Sequence, residues 1–191
     1  MNAGRQQTGS WPVRRTSDLH RGRVSAPGCR YFVTAVTKDR APVLLRPEVA
    51  CRVRATLLEL DGPGDIQLLA ATLMPDHVHL LFELGARLSL GRVCAKFKSL
   101  ARDQRNADWY WQSDEFEHRL RPAEDLDRFG LYIFLNPYRV GLVATDARWP
   151  HWLCPRPELF RFMQLLREGN LPQPEWLGAW EALTRGLVVG E

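Results

Sequence analysis

Apolar and polar positions alternate along most of this chain in blocks of strand or helix length. Residues Cys29 to Thr37 (Cys-Arg-Tyr-Phe-Val-Thr-Ala-Val-Thr) are dense in β-branched and aromatic side chains and predict a first strand. Lys38-Asp39-Arg40 is its polar exit. Pro47 suits the first turn of a helix, and Val49, Val53, Leu57 and Leu60 give that helix one apolar stripe to about Leu60. Asp61-Gly62-Pro63-Gly64-Asp65 then breaks the chain. Two apolar runs, Ile66 to Met74 and Val78 to Leu84, have strand length, and the Pro75-Asp76 turn between them predicts a hairpin.

Ser89 is placed to cap a second helix running to about Asn106. Leu90, Val93, Phe97, Leu100 and Ala101 form its inner face, and Arg92, Lys96, Lys98 and Arg102 its basic outer face. Residues Trp109 to Leu120 read as loop and then strand. Pro122-Ala123-Glu124-Asp125 opens a third helix with acids in the first turn, which the helix dipole favours. Leu126, Phe129 and Ile133 point inward, and the helix reaches Asn136. Pro137 predicts that it ends or kinks there, with Arg139 to Val143 as a short tail. Beyond, Trp149 to Pro157 is loop-like, and Phe160 to Glu168 and Trp176 to Leu187 read as further helices.

Strand, helix, strand, strand, helix, strand is the ferredoxin-like βαββαβ order, an α+β fold with an antiparallel sheet. Two helices cover one face, which leaves the other for the third helix. The implied organisation is an arm at 1–28, a domain at 29–143 and a C-terminal extension at 144–191.

A chain of 191 residues fits one domain with extensions. No apolar run approaches the ~20 residues of a membrane-spanning helix, and the N-terminus lacks the apolar core of a secretory signal. Cys29, Cys51, Cys94 and Cys154 are too scattered for a zinc knuckle or a disulfide framework, which points to reduced thiols in the cytoplasm. Charge changes the picture at one place. Arg5, Arg14, Arg15, Arg21 and Arg23 face Asp18 alone in the arm, an excess of +4 (five minus one) that equals the +4 of the whole chain. Such an arm suits a polyanion, and a merely solvated tail has the same composition.

Candidate chemistry begins at Met74-Pro75-Asp76-His77-Val78-His79. On a strand His77 and His79 share one face, their Cβ atoms ~7 Å apart, and can share a divalent cation or a phosphate. Two ordinary sheet histidines give the same spacing. On the third helix Tyr132 and Asn136, at i and i+4, share a face that looks at the same pair. Two imidazoles and an amide oxygen make an N/N/O set for Mg²⁺ or Mn²⁺, and the phenol is a candidate nucleophile for phosphoryl transfer. A core tyrosine and a helix-terminating asparagine are the alternative.

Met74-Pro-Asp-His-Val-His-Leu-Leu-Phe resembles the "HUH" motif of IS200-like single-tyrosine transposases. Tyr132-Ile-Phe-Leu-Asn-Pro-Tyr-Arg-Val-Gly-Leu-Val resembles the tyrosine motif of their REP-associated branch. Between them Phe97-Lys98-Ser99, Ala101-Arg102, Trp111-Gln112, Phe116 and His118-Arg119-Leu120-Arg121 follow that branch in the same order, and Tyr31-Phe-Val-Thr fits its opening. The resemblance covers roughly Arg30 to Val143. It implies His77 and His79 as metal ligands, Asn136 as the third ligand and Tyr132 as the nucleophile. Tyr138 stands where the branch has valine, Asp76 where asparagine is common and Val140 where alanine is common. Tyr138 faces away from Tyr132 on a continuous helix, and neither Asp76 nor Val140 is expected to touch the chemistry.

The resemblance further implies cleavage and strand transfer on single-stranded DNA through a 5′-phosphotyrosine, with REP-like palindromic hairpins as substrate. It implies a nucleoid-associated monomer acting in cis, against a dimer in related insertion-sequence enzymes. Candidate DNA contacts are Arg14, Arg15, Arg21 and Arg23 of the arm, Lys96, Lys98 and Arg102, and Arg119 and Arg121. Trp109, Tyr110 and Trp111 suit either base stacking or the core. The rival readings are a replication initiator or relaxase, a hairpin-binding protein without catalysis, and a histidine-metal hydrolase without a covalent intermediate.

Overall fold

One antiparallel sheet separates two apolar cores in the computed structural model, which describes residues 25–62, 64–105 and 107–190. Strand β1 (Arg30–Val36) pairs with β3 (His77–Leu84), setting Thr34 opposite His79. Strand β2 (Ile66–Leu73) pairs with the other edge of β3 and sets Thr72 opposite His79. Strand β4 (Phe116–Arg119) joins β1, and a short β5 (Trp152–Leu153) joins β2, giving the order β4-β1-β3-β2-β5. The first four strands have the ferredoxin-like arrangement that the element order predicts.

Because side chains alternate along a strand, β3 serves both cores. Val78, Leu80, Phe82 and Leu84 face helices α1 (Pro47–Asp61) and α2 (Leu90–Ala101). Leu81 faces helix α3 (Leu126–Arg139) with Phe32 and Leu69, and His77 and His79 share its parity. The stripe Val49, Val53, Leu57 and Leu60 of α1 is buried as its spacing requires.

Helix boundaries differ from expectation where side chains outside the helix intervene. Helix α2 stops at Ala101, five residues short of Asn106, because Arg102 leaves helical geometry. Its guanidinium is drawn to the carbonyls of Trp109 and Ala107. Ser89 occupies the N-cap without a side-chain bond; Ser25 Oγ instead accepts from the N–H of Leu90 at 3.0 Å. Helix α3 starts at Leu126, not Pro122, with Asp125 as the cap accepting from the N–H of Asp127. It also runs through Pro137 to Arg139. That proline sits in the last turn, where a missing donor costs a single helical bond. The stop comes instead at Gly141, whose φ of 73° suits the left-handed position after a helix.

The C-terminal segment is built differently from the two helices expected. Arg161–Leu165 is a 3₁₀ turn, followed by two short helices, α4 (Glu175–Gly178) and α5 (Trp180–Thr184). Phe160 and Phe162 are fully buried against Gly130 of α3. A β-carbon there would lie 2.4 Å from the Phe160 ring, so only glycine admits this approach. Helix α3 is therefore covered on both sides, and its run from Phe129 to Tyr138 is buried throughout. All four cysteines are free thiols. Among the described residues no helix is long and apolar enough to cross a membrane.

Candidate functional site

The register of β1, β3 and β2 builds a row of polar side chains on the α3 face. His79 is fully buried between its cross-strand neighbours Thr34 and Thr72. Its Nδ1 lies 2.9 Å from Thr34 Oγ1, and the Thr34 hydroxyl donates onward to the carbonyl of Gly190 at 3.4 Å. Thr34 thus accepts the Nδ1 proton, which leaves Nε2 of His79 as a lone pair. His77 is set in the same way: Asp76 Oδ1 takes its Nδ1 proton at 2.7 Å. The two Nε2 atoms converge to 3.1 Å. Two nitrogens each ~2.1 Å from one cation at adjacent corners of an octahedron lie ~3.0 Å apart, so the pair has the span of two cis ligands. Hydrogen bonds at the opposite ring nitrogen are what commonly orient metal-binding histidines.

Helix α3 supplies the remaining groups. The Asn136 carboxamide is buried, its Nδ2 3.1 Å from Nε2 of His79. Rotating that amide by half a turn exchanges oxygen for nitrogen and turns an acceptor toward the same point. The donor set then fits a divalent cation that accepts imidazole and carbonyl oxygen together. The Tyr132 ring lies 5.5 Å from the His79 ring, edge to face, between Phe32 and Trp180. His77, His79, Tyr132 and Asn136 line one cavity of about 440 Å³.

Electrostatics keep the imidazoles neutral. Burial, then the neighbouring His77 and the guanidiniums of Arg139 and Arg40, hold His79 well below the usual imidazole range. Burial also lowers His77, and the Asp76 carboxylate opposes that shift without cancelling it. At Asp76 burial raises the carboxyl, but bonds from His77 and Arg40 outweigh it and leave the group below the usual carboxylate range. Neutral imidazoles are the form that binds a cation.

Asp76 and Val140, expected to stand apart from the chemistry, both line the cavity. Asp76 orients His77. Sequence reasoning also missed Thr34, Arg40 and Arg139. Arg139 had a signal, since it lies at i+7 from Tyr132 on the same helical stripe; Thr34 had none, because only strand register brings it to His79. Tyr138 is on another flank, its hydroxyl accepting from the N–H of Trp149 at 3.3 Å, and burial pushes its phenol up.

The expected basic face of α2 makes contacts within the fold. It lies on the opposite side of the sheet from the histidines. Lys96 pairs with buried Asp65 at 2.6 Å. Lys98 bonds the carbonyls of Gln112 and Ser113 and pairs with Glu115 at 2.5 Å. Arg102 is buried and bonded as described. These three cations hold the 107–115 loop and the α1–β2 connection. Trp109 and Trp111 pack edge to face at 5.0 Å, with Phe97 against Trp111, so they are core residues; only Tyr110 is exposed, under the Arg102 guanidinium. Arg119 and Arg121 are exposed and do not line the cavity. Arg14, Arg15, Arg21 and Arg23 lie outside the described residues. His118 pairs with Glu124 at 2.9 Å and stacks on Phe129. A second group of metal-type donors, Cys94, Glu115 and Glu117, comes together on the α2 side, where Lys98 already pairs with Glu115.

The family model for IS200-like transposases matches residues 25–118. That span holds both histidines and ends before α3. A Haemophilus influenzae protein named as a REP-associated tyrosine transposase is 26% identical over 140 residues, covering 65% of this chain and 78% of the relative. The solved structure of a REP-associated tyrosine transposase bound to a REP hairpin has a TM-score of 0.59 and 21% identity, over 68% of this chain and 79% of that one. That likeness is one of fold.

Proposed function

We propose that this chain is a member of the IS200-like transposases, resembling within them the REP-associated tyrosine branch, and that it cleaves and rejoins single-stranded DNA at palindromic hairpins through a tyrosine-linked intermediate. The single observation that carries the proposal is the convergence of His77, His79, Asn136 and Tyr132 on one cavity from two separate elements. The relative's hairpin complex supports hairpin DNA as the partner.

His77 and His79, through Nε2, and Asn136, through its amide oxygen, would hold Mg²⁺ or Mn²⁺. When bound, such an ion would supply Lewis-acid polarisation of the scissile phosphate and offset of its developing charge. Tyr132 is the nucleophile. Its oxygen bonds to phosphorus, the bond from phosphorus to the 3′ oxygen breaks, and that oxygen leaves as a 3′-hydroxyl carrying a proton. The product is a 5′-phosphotyrosine. A 3′-hydroxyl attacking that linkage reverses the step and frees the phenol, so no nucleotide cofactor is needed. Asp76 and Thr34 hold the imidazole tautomers, and the buried walls around Tyr132 fix its ring.

The deciding experiment incubates the protein with labelled single-stranded hairpin DNA and Mn²⁺ and separates covalent adducts by denaturing electrophoresis. Wild type gives an adduct, Tyr132→Phe gives none while still binding the hairpin, and Tyr138→Phe behaves as wild type. An adduct that survives in Tyr132→Phe but disappears in Tyr138→Phe reassigns the nucleophile. Cleavage without any adduct makes the site a hydrolase, and absence of cleavage leaves a hairpin-binding protein.

A further inference from the structure

We propose that Arg40 and Arg139 form a two-sided clamp for the scissile phosphodiester, each taking a non-bridging oxygen from its own bank of the cavity; the inference rests on the strand-transfer reading above. Both residues line the same cavity as His77, His79, Tyr132 and Asn136. They arrive from unrelated elements. Arg40 sits on the turn that leaves β1, and Arg139 ends α3. Arg139 is three residues beyond Asn136 and seven beyond Tyr132, so all three share one helical stripe. Its guanidinium lies 4.9 Å above the Trp180 ring, which holds it at the cavity wall.

Arg40 is held with unusual care for an exposed arginine. Asp39 and Arg40 are consecutive residues with φ of 55° and 52°, the left-handed region that side chains other than glycine seldom occupy. Such conformations persist where surrounding bonds enforce them. Here the carbonyls of Ala41 and Asp76 share the single Thr37 hydroxyl proton, and Leu44 N–H donates to the carbonyl of Pro75. The turn is thereby stitched to the histidine hairpin. The Arg40 side chain reaches Asp76 Oδ2 at 3.2 Å, while the other Asp76 oxygen takes the His77 proton. One carboxylate therefore positions both an imidazole and a guanidinium.

The lining suits an anionic occupant. Arg40 and Arg139 bring two guanidiniums to the cavity lining, where Asp76 brings one carboxylate. A phosphodiester has one negative charge spread over two non-bridging oxygens, and a guanidinium's planar fork suits such oxygens better than an ammonium. Charge on those oxygens grows toward the transition state, so a clamp of this kind acts on rate more than on ground-state binding.

The test compares Arg40→Gln, Arg40→Lys and Arg139→Gln with wild type in the hairpin–Mn²⁺ adduct assay. Expected is a fall in adduct formation of about a hundredfold or more in both Gln variants. Mn²⁺ binding, followed by electron paramagnetic resonance, and thermal melting stay at wild-type values. Arg40→Lys keeps the charge and controls for the fold, and its rate falls between those of wild type and Arg40→Gln. Hairpins with sulfur in place of one or other non-bridging oxygen at the scissile link give a direct reading of contact. The rate ratio between the two diastereomers changes in each Gln variant, which a merely structural arginine would not cause. Wild-type rates in both Gln variants, an unchanged diastereomer ratio, or loss of Mn²⁺ binding along with activity overturn the clamp. A wild-type chain that forms no adduct overturns the strand-transfer reading and the clamp together, so the two failures are told apart.

Discussion

At the scale of single residues the candidate site holds one buried imidazole, His79, and one half-buried, His77, both shifted toward the neutral form. An unfolded histidine titrates near pH ~6.5, whereas folded His79 is held well below that value by burial, by His77 and by two guanidiniums. Above ~6.5 neither the folded nor the unfolded state binds a proton at this residue, and stability is insensitive to pH. As pH falls below that value the unfolded chain takes up a proton that the folded chain refuses, so stability declines; His77 adds in the same direction. Asp76 and Glu124, both shifted downward, contribute only below the ordinary carboxylate range. The melting temperature of metal-free protein should be level between about pH 7 and 8 and drop between about 6.5 and 5, and His79→Gln should remove much of the slope. A level melting temperature down to pH 5 would mean that the fold accommodates an imidazolium at position 79. That His77 and His79 share one face was legible in the sequence, because side chains alternate along a strand; a ligand role was not, since ordinary sheet histidines have the same spacing. The orienting partners were legible by halves: Asp76 adjoins His77 in the chain, but Thr34 lies 45 residues from His79 and meets it only through register.

At the scale of elements the sheet and the first two helices follow from hydrophobic periodicity, and the failures come where a charged side chain was read as solvated. Lys98 sits on the outward part of the α2 pattern, yet its side chain is 14% exposed and its partner Glu115 10%. The loop from Ala107 to Glu115 folds back over it, and nothing in helical spacing announces that. A lysine so placed acts as a staple, whereas a phosphate contact would leave the fold alone. Lys98→Met keeps the aliphatic length but strands a buried carboxylate, at a cost on the order of 3 kcal/mol. Chemical denaturation should register that loss while hairpin affinity stays at the wild-type value. A variant of normal stability with weakened hairpin binding would return Lys98 to the DNA-contacting set. The same misreading runs the other way in α3. Phe129 to Tyr138 is apolar on nearly every side, a pattern that belongs to a helix covered from two directions, and the second cover is the C-terminal segment.

At the scale of the whole molecule that segment raises the question of where the folding unit ends. The sequence motifs stop near Val143, and we propose that the unit does not. Residues beyond it add β5 to the sheet and place Phe160, Phe162 and Leu153 in the cores. Burying side chains of that size contributes roughly 1.5–3 kcal/mol each, and three together rival the ~5–15 kcal/mol by which domains are stable. A chain ending at Val143 should therefore lack a cooperative thermal transition by circular dichroism; a sharp one would make residues 29–143 a domain in its own right. Helix α3 bears on assembly as well. Asn136 meets His79 of its own chain at 3.1 Å, and we propose that nucleophile and ligands come from one copy and that the protein works in cis as a monomer. Mixing decides this without a structure. Tyr132→Phe lacks the nucleophile and a His77→Ala, His79→Ala double variant lacks the ligands; if α3 serves its own sheet, neither variant supplies the other and the mixture forms no adduct. In a dimer that exchanges its tyrosine helices, one composite site would pair intact histidines with an intact Tyr132. The mixture would then form adduct at a fraction of the wild-type rate, and the cis assignment would fall.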